Sequence, residues 1–201
     1  MAWTVDTIKT PPPLSSEKLI IALGDSLTAG LGLPEDQSYP AQLEVKLQSL
    51  GYHYRVQNAW VSWDTSAGLL ARMDWILTDV TPDLVILCIG ANDAFQGKWI
   101  SDIEQNIRTM IERLQSKKIS ILLAGMRAPY NLGKEYRDQY DTLFAKLAAE
   151  YYLWFLPFLL EGVALDPKLN QPDKIHPTKE GYTIIVSNII SHLEHESLIK
   201  K

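Results

Sequence analysis

Apolar residues along this chain fall into two alternating patterns. Stretches of strand length occur at residues 19–23, 83–89, 119–124 and near 152–156, which are mainly apolar, and at 52–59, which is short and rich in aromatic and β-branched residues. The third in chain order, D-L-V-I-L-C-I, is apolar almost throughout, so it is expected to be covered on both faces. Between these runs the apolar positions recur at helical spacing. Leu43, Leu47 and Leu50 follow Tyr39-Pro40 and stop at Gly51, while Leu69, Leu70, Met73, Ile76 and Leu77 run up to Pro82. Ile103, Ile107, Ile111 and Leu114 form a third face, and Tyr136, Tyr140, Leu143, Phe144 and Leu147 a fourth. Tyr182, Ile185, Val186, Ile189 and Leu193 form the last, in a helix expected to start at Pro177-Thr178.

Strands that alternate with helices pair in parallel through right-handed crossovers, which predicts an α/β protein: a three-layer α/β/α sandwich on a parallel sheet of about five strands. Parallel strands turn all their carboxyl ends to one edge of the sheet, where open α/β sheets collect ligands. That edge is expected to hold the turn after the first strand, the 60–66 loop, the turn after the third strand and the long loop 157–175.

The chemistry at that edge starts with the stretch 18–30, K-L-I-I-A-L-G-D-S-L-T-A-G, where an apolar strand empties into Gly24-Asp25-Ser26. Ser26 is the candidate nucleophile. Taken alone, Gly-Asp-Ser is also ordinary turn and helix-capping chemistry. A serine hydroxyl attacks at neutral pH only if a base takes its proton, and histidine suits that task. Of the four histidines, His53 begins a strand, and His192 and His195 lie among charged residues near the C-terminus, where a solvated role fits. His176 precedes Pro177, which biases it away from helical backbone, and Asp173 stands three residues earlier, near enough to orient its ring. Taken alone, Asp173-x-x-His176 equally suits a loop acid capping a helix. Asp64 and Asp93 follow strands, where aspartates commonly cap helices, and no His or Cys cluster accompanies them. Cys88, the one cysteine, lies inside an apolar strand and reads as a packed thiol.

Composition narrows the partners. With 201 residues, 46% hydrophobic and 21% charged, the chain can bury one ordinary core, which predicts a single domain over 18–201 behind an extended lead-in at 1–17 that carries Pro11, Pro12 and Pro13. A net charge of -5 with scattered Lys and Arg offers no basic stripe for nucleic acid. The N-terminus lacks the basic and apolar regions of a secretory signal and no run is long enough to span a membrane, so a cytoplasmic location is expected.

Four segments then carry a resemblance. G-D-S-L-T-A-G at 24–30, N-A-W-V-S-W-D-T-S at 58–66, G-A-N-D at 90–93 and D-K-I-H-P at 173–177 resemble, in order and spacing, the four sequence blocks of the GDSL or SGNH hydrolases. R-A-P-Y-N-L-G-K-E-Y at 127–136 and L-P-F-L-L-E-G-V at 156–163 bring it nearest to the bacterial thioesterase I, lysophospholipase L1 and arylesterase branch. The resemblance implies the flavodoxin-like fold of that family and no metal or cofactor. It implies Ser26 as nucleophile, His176 as base and then acid, Asp173 as its orienter, and an oxyanion hole of the Ser26 N–H, the Asn92 amide and the backbone N–H at position 63. At that last position the family has glycine and this chain has Trp63; the donor survives a negative φ, whereas a positive φ strains a residue with a Cβ.

The reading that follows is a hydrolase cleaving small-molecule carboxylic esters or thioesters of small to medium acyl groups. Two alternatives use the same residues: a carbohydrate O-deacetylase, and a weakened ligand-binding member in which Trp63 has spoiled the hole. Trp60, Trp63, Trp99 and Tyr130 fall in or near the rim loops, and Trp60 and Tyr130 are expected to wall a pocket for an apolar acyl or aryl group.

Overall fold

The C-terminal residues of β1 (Lys18–Gly24) and β3 (Leu84–Cys88) lie side by side at the centre of a five-stranded parallel sheet ordered β2-β1-β3-β4-β5. The structure is a computed structural model that describes residues 17–201; apart from Glu17, the expected lead-in lies outside the described residues. β2 (Tyr54–Trp60) forms one edge, β4 (Ser120–Ala124) continues the sheet and the three-residue β5 (Trp154–Leu156) forms the other edge. All five residues of β3 are buried, as an apolar run covered on both faces requires.

Helices cover the two faces in the manner that right-handed crossovers dictate. The chain steps one way from β1 to β2 through α2 (Tyr39–Ser49), which packs against the final helix α7 (Lys179–His195). It steps the other way through α3 (Ser66–Ile76), α5 (Ile100–Ser116) and α6 (Lys134–Glu150), where α3 packs on α5 and α5 on α6. Two short helices, α1 (Ser26–Ala29) and α4 (Ala91–Phe95), open the turns after β1 and β3. The core between sheet and helices is filled by Ile20, Ile21, Leu23, Leu43, Leu87, Ile107, Phe144 and Ile185, all at most 1% exposed.

The sheet order reverses direction between β1 and β3, because the chain leaves β1 toward β2 and returns past it to β3. At such a switch point the two following turns diverge and open a crevice at the carboxyl edge. Ser26 follows one of these strands and Asn92 the other. Among the described residues, no helix is long and apolar enough to cross a membrane.

Candidate active site

The turn that presents Ser26 depends on Gly24. A Cβ there would lie 2.0 Å from Thr28 Oγ1 and 2.6 Å from the Cys88 carbonyl oxygen, so β1 can approach β3 and α1 this closely only without a side chain. Asp25 caps α1, its Oδ1 accepting the Leu27 N–H at 3.0 Å. Ser26 is thus the first residue of a helix, and its N–H is one of those with no acceptor inside the helix. Burial lifts the Asp25 carboxyl to about 6, against the pull of the Leu27 N–H and the nearby His176.

His176 arrives from the far side of the sheet on the loop that follows β5. Two buried or half-buried amides hold this loop: Asn170 Nδ2 donates to the Val163 and Asp166 carbonyls at 2.6 and 2.8 Å, and Gln171 Nε2 to those of Leu31 and Pro177 at 2.7 and 3.0 Å. Asp173 Oδ1 accepts the N–H groups of Ile175 and His176 at 2.9 and 3.0 Å. Its Oδ2 lies 2.6 Å from His176 Nδ1, and His176 Nε2 lies 2.9 Å from Ser26 Oγ. A carboxylate only accepts, so Nδ1 carries a proton, and in the neutral form of the ring Nε2 is the acceptor that faces the hydroxyl. Burial works against the Asp173 anion, but the imidazole and the two N–H groups outweigh it and hold the carboxyl below its ordinary value.

Asn92 and Trp63 complete the cluster. Asn92, 4% exposed in α4, donates from Nδ2 to the Asp64 carbonyl at 2.9 Å. Nδ2 also lies 3.5 Å from Asp25 Oδ2, a long contact for its second hydrogen. Trp63 lines the same crevice with φ at +64°, in the left-handed region. The sequence leaves this angle open, and the structure resolves it toward strain, about 1–2 kcal/mol for a residue with a Cβ. The indole is two-thirds exposed, so little packing offsets that strain.

These groups line a cleft of about 830 Å³ whose apolar walls include Leu27, Phe95, Met126, Phe158 and Leu160. Tyr130 also lines it; its ring lies under the Arg137 guanidinium at 4.6 Å. Trp60 does not line it, which corrects the sequence reading. β2 runs through Trp60 rather than ending before it, so the pleat of an edge strand, not the loop, sets the direction of the indole. Trp99, the residue before α5, is also exposed outside the cleft. Asp93 bonds the N–H and hydroxyl of Ser66, both at 2.7 Å, and so caps α3 rather than its own helix, while Asp64 pairs with Arg72. His53 and His195 are exposed and distant from Ser26 in the fold, and Cys88 is buried, where loss of solvation raises its thiol pKa. Periodicity does not reveal the walls from Met126 and Phe158, because both lie just past strand ends in irregular chain.

The model of the GDSL-like lipase/acylhydrolase family matches residues 22–184. The chain is 34% identical over 175 residues to Esterase TesA of Pseudomonas aeruginosa, an alignment covering 87% of each chain. It is 33% identical over 175 residues to the thioesterase 1/protease 1/lysophospholipase L1 of Escherichia coli, covering 87% of this chain and 83% of that one. Among solved structures it is similar to AlinE4, an SGNH-hydrolase family esterase, with a TM-score of 0.77 and 41% identity over 91% of this chain and 98% of that one.

Proposed function

From the premise that this chain belongs to the GDSL-like lipase/acylhydrolase family and hydrolyses ester bonds, we propose that it cleaves carboxylic esters and thioesters of small to medium acyl groups through an acyl-enzyme on Ser26. The observation that carries this reading is the unbroken line from Asp173 Oδ2 to His176 Nδ1, 2.6 Å, and from His176 Nε2 to Ser26 Oγ, 2.9 Å.

In this reading Ser26 Oγ attacks the acyl carbon while its proton passes to His176 Nε2. The imidazolium that forms is stabilised by Asp173, already held as the anion. Negative charge moves onto the carbonyl oxygen, to which the N–H groups of Ser26 and Trp63 donate together with Asn92 Nδ2, whose second hydrogen leaves its long contact with Asp25 Oδ2 for the oxyanion. His176 then gives the proton to the departing alcohol or thiol, leaving the acyl group on Oγ. A water attacks that ester, its proton goes to His176, and the acid departs as Oγ recovers the proton. The walls from Met126, Phe158 and Leu160 suit an apolar acyl chain more than a sugar, which favours this substrate class over acetylated carbohydrate.

The test is a p-nitrophenyl ester series from acetate to octanoate, run beside acetylated sugars and a fluorophosphonate probe. Turnover of the aryl esters with the probe mapped to Ser26 is the expected result. Selective turnover of the sugars supports the deacetylase instead, and inertness together with an unlabelled Ser26 supports a binding protein.

A further inference from the structure

Arg72 bonds three pieces of the chain at once. From the second turn of α3 its Nε donates to Asp64 Oδ2 at 2.7 Å, one of its terminal nitrogens to the Ala59 carbonyl at 3.2 Å, and the other to the Gly24 carbonyl at 3.0 Å. The pair is largely shielded, with side-chain exposures of 20% for Arg72 and 8% for Asp64. Room for it is made at Gly68, where a Cβ would fall 1.9 Å from Asp64 Oδ1.

Two of these bonds end beside groups assigned above to the oxyanion hole, and the third holds Ala59 at the end of β2, where the chain enters the Trp63 loop. Gly24 is two residues before Ser26 on the turn that presents the Ser26 N–H, and its carbonyl also accepts the Val61 N–H at 3.3 Å, joining that turn to the loop of Trp63. Asp64 directly follows Trp63, whose backbone occupies the left-handed region and gains little from its largely exposed side chain. The Asp64 carbonyl is the acceptor for Asn92 Nδ2 at 2.9 Å. Asp64 is thus gripped at its carboxylate by Arg72 and at its carbonyl by Asn92, so the guanidinium holds residues one and two positions from Trp63 and Ser26 and reaches Asn92 through Asp64.

We propose that Arg72 is the positioning residue of the oxyanion hole, fixing the Trp63 loop and the Ser26 turn in one frame. The planar fork is what the task requires, because three acceptors in different directions are held by one rigid group, which a lysine ammonium on a flexible stem does not reproduce. The strained Trp63 backbone is retained because the surrounding bonds over-determine it, and Arg72 supplies the firmest of them. Since the hole matters as charge develops on the carbonyl oxygen, Arg72 acts on kcat more than on KM. This inference rests on the acyl-transfer reading above.

The experiment compares wild type, Arg72→Ala and Arg72→Lys on p-nitrophenyl butyrate, with and without millimolar guanidinium. For Arg72→Ala the expected result is a fall in kcat of about 100-fold with KM changed less than about threefold, the signature of a weakened oxyanion site. Guanidinium is expected to restore at least about tenfold of the Arg72→Ala rate, while Arg72→Lys stays slow and wild type is unaffected. An Arg72→Ala kcat within about threefold of wild type overturns the proposal, as does a loss shared equally by kcat and KM that guanidinium does not recover. If the Arg72 variants fail to fold, Asp64→Asn decides, because it keeps the carbonyl that Asn92 needs and weakens only the ion pair: kcat lowered about tenfold supports the proposal, and an unchanged kcat refutes it. A wild-type protein inert toward every ester would instead overturn the acyl-transfer reading itself.

Discussion

Ser26 Oγ and His176 Nε2 lie 2.9 Å apart although 150 positions of sequence separate them. Groups that exchange one proton work as a unit, so removing either disables both. Ser26→Ala and His176→Ala are each expected to slow hydrolysis of p-nitrophenyl butyrate by on the order of 10³-fold or more. The double variant is expected to be no slower than the singles. Rates measured for all three check this, and a further loss in the double variant would show that the two act separately.

Asp173→Asn keeps the shape of the side chain and removes its charge. An amide is able to donate as well as accept, so the imidazole loses its preferred tautomer and the imidazolium its counterion. The expected result is a kcat lowered by up to about 10⁴-fold with little change in KM. Steady-state kinetics at one pH separates the two constants, and a loss confined to KM contradicts the orienting role.

Asp25 gives stability a slope with pH. Its buried carboxyl keeps its proton up to about 6, whereas the ordinary value is 3.8. Between these limits the folded chain binds more protons than the unfolded one, so stability falls as pH rises through the window and is level above it, by about 3 kcal/mol in all. Asp173 acts in the opposite sense and lower down, because its carboxyl lies below the ordinary range: its contribution is present above that range and lost as pH falls through it. Asp25→Asn retains an oxygen for the Leu27 N–H and is expected to abolish the first slope and to raise stability at neutral pH. Urea unfolding below and above the window, for both proteins, checks the sign.

How much of this was readable in the chain differs from residue to residue. The central strands announce themselves as apolar runs, and the turns G-D-S and G-A-N-D mark where β1 and β3 end, because strands covered on both faces are nearly continuous apolar runs and their exits need small residues. His176 stood out through Pro177, and its partner through proximity in sequence. Arg72 was not readable, since it bonds carbonyls 13 and 48 residues away and no local period encodes such a contact. Trp60 was misread for a related reason: a strand boundary displaced by one residue transfers a side chain from loop geometry to the pleat.

Trp63→Gly relieves the left-handed backbone while removing an indole that is two-thirds exposed. The expected gain in stability is about 1 kcal/mol, seen as a melting temperature higher by about 2–4 °C. With the indole gone from the cleft lining, preference is expected to move from acetyl and propionyl esters toward longer ones. A p-nitrophenyl ester series for both proteins checks it; an unchanged profile means that the indole does not limit chain length.

The strand order has a consequence for how such a protein comes into being. β5 lies three strands from β1, about 14 Å across the sheet, and the chain returns over that distance only after β5 is laid down. Gln171 ties the returning loop to Leu31, and the Tyr182 hydroxyl in α7 ties the next helix to the Leu27 carbonyl at 2.8 Å. During synthesis the segment bearing Ser26 emerges 150 residues ahead of His176, so the imidazole that faces its hydroxyl in the fold is absent until that later loop has been made. A growing chain in which that loop has not yet docked therefore carries a serine of ordinary reactivity, and on the acyl-transfer reading proposed above its nucleophilicity arrives only when the loop after β5 returns to the first strand.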